Sequence, residues 1–166
     1  MNRNRGYTLV ELIVAVGLFA FIMVLASGAY LMMIDLNRRT QGTTTGINNL
    51  SFALETMTRT IRTGTNYSCN NSGDCTNGGS LFSVTDPNNT TMSYTAVNGV
   101  ITQNGVALTD PTVQVSSLVF YASGTTAGDG AQPHVLIVVN GTVTYAAGKT
   151  ETFAIETGAT MRGSDL

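Results

Sequence analysis

The chain has no tryptophan, one histidine, two cysteines and three prolines, and only 11% of its 166 residues are charged. Each scarcity excludes something. The lone histidine, His134, opens an apolar run far from both cysteines, so no imidazole pair and no His/Cys metal site is spelled out. The glycine-rich stretch 124–130 is followed by no phosphate-binding lysine and is not set between a strand and a helix. No Gly-x-Ser-x-Gly elbow occurs. A net charge of −2 gives no basic footprint for nucleic acid. The expectation is therefore a non-enzyme, with no catalytic, cofactor-binding or metal residue and no cofactor.

Charge is also missing from one long stretch. From Leu12 to Ile34 there are 23 residues without a charged side chain. As a helix this segment would be roughly 35 Å long, enough to cross a bilayer core with some tilt. Ahead of it stands Arg3-Asn4-Arg5-Gly6-Tyr7-Thr8-Leu9-Val10-Glu11, a short basic leader ending in one carboxylate. An acid inside a membrane helix costs about 2.5–3.5 kcal/mol on insertion scales, so Glu11 is a functional candidate in want of a cation. The bland alternative is that Glu11 snorkels to the headgroups. A secretory signal peptide would need an apolar core of only about 7–15 residues, although Ala26-Ser27-Gly28-Ala29 mimics its cleavage site. An ordinary single-pass anchor is the other rival. Arg38 and Arg39 follow the segment as Arg3 and Arg5 precede it, so charge bias leaves orientation open.

The run Gly6-Tyr7-Thr8-Leu9-Val10-Glu11-Leu12-Ile13-Val14-Ala15 resembles the cleavage-and-methylation segment of type IV prepilins and type II secretion pseudopilins. The resemblance implies cleavage between Gly6 and Tyr7 by a prepilin peptidase, with methylation of the new Tyr7 amine. That family usually places phenylalanine where Tyr7 stands. It further implies that Glu11 pairs with the Tyr7 amine of a neighbouring subunit during assembly. Partners would then be the peptidase, other pilin or pseudopilin subunits, an inner-membrane assembly platform and the lipid bilayer; nucleic acid is not favoured. The implied location is the bacterial inner membrane, single-pass with the N-terminus cytoplasmic and the C-terminal domain exported, and afterwards a filament in the periplasm or at the cell surface.

The implied fold class is α+β and pilin-like, a long N-terminal helix packed on an antiparallel β-sheet. Four segments are expected: a leader at 1–6, a transmembrane and assembly helix at 7–34, its amphipathic continuation at 35–63, and an exported β-rich domain at 64–166. Ile47, Leu50, Leu54, Met57 and Ile61 form a stripe at helical period, the face on which a sheet would lie. Glu55 and Arg59 suit an i, i+4 pair, and Gly64 suits a stop. Gly42 and Gly46, with three threonines between, predict a weak point, and Gly28 permits local melting.

Residues 66–79 read as loop throughout. Cys69 and Cys75 within it predict a disulfide in an exported domain, with metal binding the poorer alternative, and Asp74 is a lone calcium candidate. Strands are expected at 81–84, 91–97, 100–103, 113–121, 134–139 and 149–157, with an Asn98-Gly99 hairpin turn. Asn140-Gly141 marks either a turn or a bulge inside one long strand. The run 134–139 is apolar on both faces and so belongs in the middle of a sheet.

Residues 50–62 and the segment 153–157 with Arg162 resemble the larger minor pilins and J-type minor pseudopilins. The function this implies is a structural subunit, minor pilin or minor pseudopilin, of a type IV pilus or type II secretion pseudopilus. The alternative is a membrane-tethered or pilus-borne binding module for DNA, a secreted protein or a surface ligand.

Overall fold

The structure is a computed structural model describing residues 6–126 and 128–162. The chain divides into two compact units, Met1–Thr40 and Gln41–Leu166. Helix α1 (Leu9–Thr63) supplies the N-terminal unit and the first segment of the second.

In the N-terminal unit the helix carries no charged side chain from Leu12 to Ile34, and the membrane-length apolar window within it buries nothing among the described residues. A helix without a polar face belongs in an apolar solvent. Its length and composition suffice to cross a membrane. The Ser27 hydroxyl folds back onto the Met23 carbonyl at 2.8 Å, so this polar group is satisfied inside the helix. The helix runs unbroken through Gly28.

In the second unit, residues 41–63 of α1 lie on β structure. Leu50, Ala53, Leu54, Met57 and Ile61 are buried, while Ile47 is 40% exposed and drops out of the expected stripe. Gly46 takes the inward place beside it. A Cβ on Gly46 would collide with Val143 Cγ1, and one on Gly42 would collide with Cβ of Tyr145 and lie 2.8 Å from its Cα. The two glycines expected to weaken the helix are points of close approach to β8 (His134–Ala146). The helix is continuous there.

The strands form two sheets, where a single sheet was expected. One has the order β1-β3-β4-β5-β6, from β1 (Thr65–Cys69), β3 (Leu81–Thr85), β4 (Thr91–Val97), β5 (Val100–Gln103) and β6 (Val106–Ala107). The other has the order β2-β7-β8-β9, from β2 (Cys75–Gly79), β7 (Val113–Ser123), β8 (His134–Ala146) and β9 (Lys149–Thr160). All pairings are antiparallel.

Asn98 and Gly99 both have positive φ, 52° and 78°, as a type I′ turn requires. Asn140 and Gly141 do not turn the chain: β8 passes straight through them, and the irregularity falls opposite, between Val115 and Ser117 of β7. A Cβ on Gly141 would strike the Gln114 carbonyl, so glycine permits close approach of β7. Strand β8 is central, between β7 and β9, as its apolar run implied.

The core joins Leu50, Met57 and Ile61 of α1 to Phe82, Val84, Tyr94 and Ile101 of one sheet and Phe120, Val135, Ile137 and Val139 of the other. Each such side chain contributes about 1.5–3 kcal/mol by burial. Phe82 and Phe120 stack across the sheets with centroids 5.3 Å apart.

Helix α1 stops where expected, but for a different reason than a left-handed glycine. Gly64 has no positive φ; a Cβ there would meet Val84 Cγ2 and lie 2.8 Å from the Thr85 carbonyl. The Tyr67 hydroxyl sits 2.7 Å from the carbonyls of both Ile61 and Gly64, satisfying the helix end. Burial pushes its pKa up to about 12.

Candidate processing and assembly site

Gly6, Tyr7 and Thr8 precede the helix and have no regular structure. Thr8 is the cap. Its Oγ1 accepts from the Glu11 N–H at 3.3 Å, and its carbonyl accepts from the Leu12 N–H at 3.2 Å. Thr8-Leu9-Val10-Glu11 is thus the S/T-x-x-E pattern of a helix start, legible in the sequence yet missed there. Glu11 stands in the first turn, where the helix dipole favours a carboxylate.

Among the described residues, a Cβ on Gly6 would meet nothing within 4 Å. Tyr7 is 86% exposed, and it lines a shallow groove with Glu11, Leu12 and Ala15. Glu11 makes no ion pair among the described residues. A carboxylate at the head of an apolar helical segment is costly in oil and is a functional candidate by default. Arg3 and Arg5 lie outside the described residues.

The cysteines form the disulfide expected of them, with Cα atoms 5.9 Å apart. The segment around them is not all loop: Cys69 ends β1 in one sheet and Cys75 begins β2 in the other. The bond therefore ties the two sheets together. Between the cysteines, Asp74 accepts from the Thr125 N–H at 2.8 Å, the Thr125 hydroxyl at 2.7 Å and the Gly124 N–H at 3.2 Å. The Thr125 hydroxyl and amide are the main causes holding its carboxyl below the ordinary aspartate range. Both carboxylate oxygens thus serve the loop after β7. Among the described residues no group of three His, Cys, Asp or Glu side chains is placed to hold a metal.

His134 is exposed at the start of β8, opposite Ser123 and Thr160. Thr76, Tyr121 and Leu136 surround it in a shallow pocket, an arrangement without a base–nucleophile pair.

Residues 1–27 match the family model of the prokaryotic N-terminal methylation motif. No curated protein and no solved structure matches the chain. The motif is consistent with the type IV pilin and pseudopilin family, and one long helix packed on antiparallel sheets is a pilin-like architecture. Members of that family are structural subunits processed at the N-terminus, so a prepilin peptidase and pilin subunits are the partners the motif implies.

Proposed function

We propose that the chain is a minor pilin or minor pseudopilin of a type IV pilus or a type II secretion pseudopilus. Prepilin peptidase cuts between Gly6 and Tyr7 and the Tyr7 amine is methylated. The helix then holds the subunit in the inner membrane with residues 64–166 exported. On assembly, Glu11 of an arriving subunit pairs with the Tyr7 amine of its neighbour, neutralising two charges that are costly in oil and fixing axial register.

The observation that carries this reading is Gly6-Tyr7-Thr8-Leu9-Val10-Glu11 at the head of an uncharged, membrane-length helical segment, inside a matched methylation motif. The lack of any steric neighbour at Gly6 among the described residues supports it, since the glycine then answers to a partner rather than to the fold.

The decisive experiment is intact-mass analysis of membrane-extracted protein from cells with and without the peptidase. The expected product begins at Tyr7 and carries one added methyl group, only when the peptidase is present. A chain still beginning at Met1 in peptidase-bearing cells, or one released after cleavage near Ala29, overturns the reading.

A further inference from the structure

We propose that a cleft at the end of α1, bearing Arg59, Arg62 and Arg162, is a docking site for Asp and Glu side chains of a neighbouring protein. Thr58, Thr63 and Glu55 complete its lining, and its volume is about 210 Å³.

The arginines come together from distant parts of the sequence. Arg59 and Arg62 lie in the last two turns of α1, and Arg162 follows β9. The chain is fixed at that point by two backbone bonds. The Met161 N–H donates to the Pro133 carbonyl at 3.0 Å, and the Arg162 N–H donates to the Arg62 carbonyl at 2.9 Å. One arginine is thus anchored to the backbone of another. A cation in the last turn complements the helix dipole, which accounts for Arg62. It does not account for Arg162, which is brought in by the second sheet.

Charge is concentrated here against the trend of the unit. Between residues 41 and 162 there are four cations and seven carboxylates. Three of the four cations line this one cleft; the fourth, Lys149, stands at the opposite end of β9. Arg59 is paired with Glu55 at 3.3 Å. Neither Arg62 nor Arg162 makes an ion pair among the described residues.

The occupant follows from shape and charge. Guanidinium forks take carboxylates in a bidentate grip. A long polyanion such as nucleic acid would lay its flanking phosphates over an acidic surface, which like charges oppose. A short acidic segment of a protein reaches the cleft without that cost. The proposal stands apart from the filament reading, because it rests on residues of the second unit alone.

The test uses the full chain in detergent micelles and a fluorescent peptide of alternating Asp and Glu, read by anisotropy at low salt. The peptide is expected to bind, and its Asn/Gln counterpart is not. Arg62→Gln with Arg162→Gln should weaken binding about tenfold or more, whereas Lys149→Gln should change it less than about twofold. Arg62→Lys with Arg162→Lys keeps charge at the helix end but loses the forks, so binding should still fall several-fold. If the double Gln variant loses its folded circular dichroism, the double Lys variant decides. No binding by the unmodified chain, equal binding of the Asn/Gln peptide, unchanged binding by the double Lys variant, or tighter binding of a single-stranded oligonucleotide would each overturn the proposal.

Discussion

Gly46 lies so close to Val143 that a single added methyl would overlap both γ-carbons of the valine. Alanine in place of glycine inside a helix is worth about 1 kcal/mol of propensity, so an isolated helix would gain. Here the clash wins. Gly46→Ala is expected to destabilise the second unit by about 1–3 kcal/mol, the usual range for overpacking. Adding Val143→Ala should recover part of that loss, and chemical denaturation of the two variants measures the coupling. Gly42→Ala should be worse, because the obstacle there includes the Tyr145 backbone, which cannot rotate away. A melt unchanged by either glycine substitution would contradict the packing described.

This contact also shows where sequence reading stops. The apolar helix, its amphipathic continuation, the stop at Gly64, the Asn98-Gly99 turn and the disulfide were all legible, because each is written in a local pattern. The glycines at 42 and 46 spell a weakness in the sequence, since a helix in isolation gives them no other meaning. Only β8, arriving from a hundred residues away, turns them into a contact surface. Strand β2 was likewise hidden: Cys75-Thr76-Asn77-Gly78-Gly79 has no alternation, and its strand character comes from pairing with Ala122 and Phe120 of β7. Splitting one expected sheet into two follows from that pairing. At the candidate site, the roles given to Gly6 and Tyr7 rest on the resemblance of their run to a prepilin segment, and Glu11 draws notice as a lone acid at the head of an uncharged run. The cap at Thr8 is written in the sequence as well, in the S/T-x-x-E spacing to Glu11, but such a short pattern gains meaning only once the helix start is known.

The disulfide offers a second prediction. It closes a small loop, and the chain-entropy relation gives about 2 kcal/mol for a ring of this size. Cys69→Ser with Cys75→Ser should lower stability by that amount. Because the bond joins the outer strands of two sheets, amide exchange should quicken most in β1 and β2, with the centre of β8 spared. Uniform loss across β8 would show that the bond does not act as a local staple.

Two buried tyrosines should respond oppositely to removal of a hydroxyl. The single Tyr67 O–H proton is shared between the carbonyls of Ile61 and Gly64, so Tyr67→Phe removes their common donor and should cost about 1–2 kcal/mol. Tyr94 Oη is buried and, among the described residues, has no hydrogen-bond partner of good geometry. The Thr60 hydroxyl interacts with it but donates instead to the Thr56 carbonyl at 2.9 Å. Burial first, with a smaller push from Asp86, raises the Tyr94 pKa in spite of Thr60. Tyr94→Phe should therefore be neutral or mildly stabilising. Thermal melts of the pair decide it.

Asp74 predicts a pH effect of defined sign. Its carboxyl is held below the ordinary value by the Thr125 hydroxyl and amide, so the folded state favours the ionised form. Such a group contributes stability above the unfolded aspartate pKa, about 3.9, and loses it as pH falls through the lower folded value. Protection of the Thr125 amide should stay level from neutral pH down to about 4 and drop below that. Asp74→Asn should show the weaker protection at every pH. A drop near neutrality would point to another group.

Glu11 faces two physical readings, and one substitution separates them. The carboxylate sits at the third position of a capped helix, so it could serve only to start the helix. Glutamine fills that position as glutamate does, but carries no charge. If Glu11 is a cap partner and nothing more, Glu11→Gln should assemble normally. If it pairs with the Tyr7 amine of a neighbour, Glu11→Gln and Glu11→Val should both be processed at Gly6 yet fail to enter filaments. Gly6→Ser should fail one step earlier, leaving an uncut N-terminus. Thr8→Ala serves as the control for the cap, since it removes the Oγ1 acceptor at a cost of about 1 kcal/mol and leaves the charge in place. Mass spectrometry of the N-terminus and a sheared-filament assay on the four variants distinguish cap from charge. Filaments of normal yield from Glu11→Gln would end the charge-pairing account, because nothing but the charge has been removed.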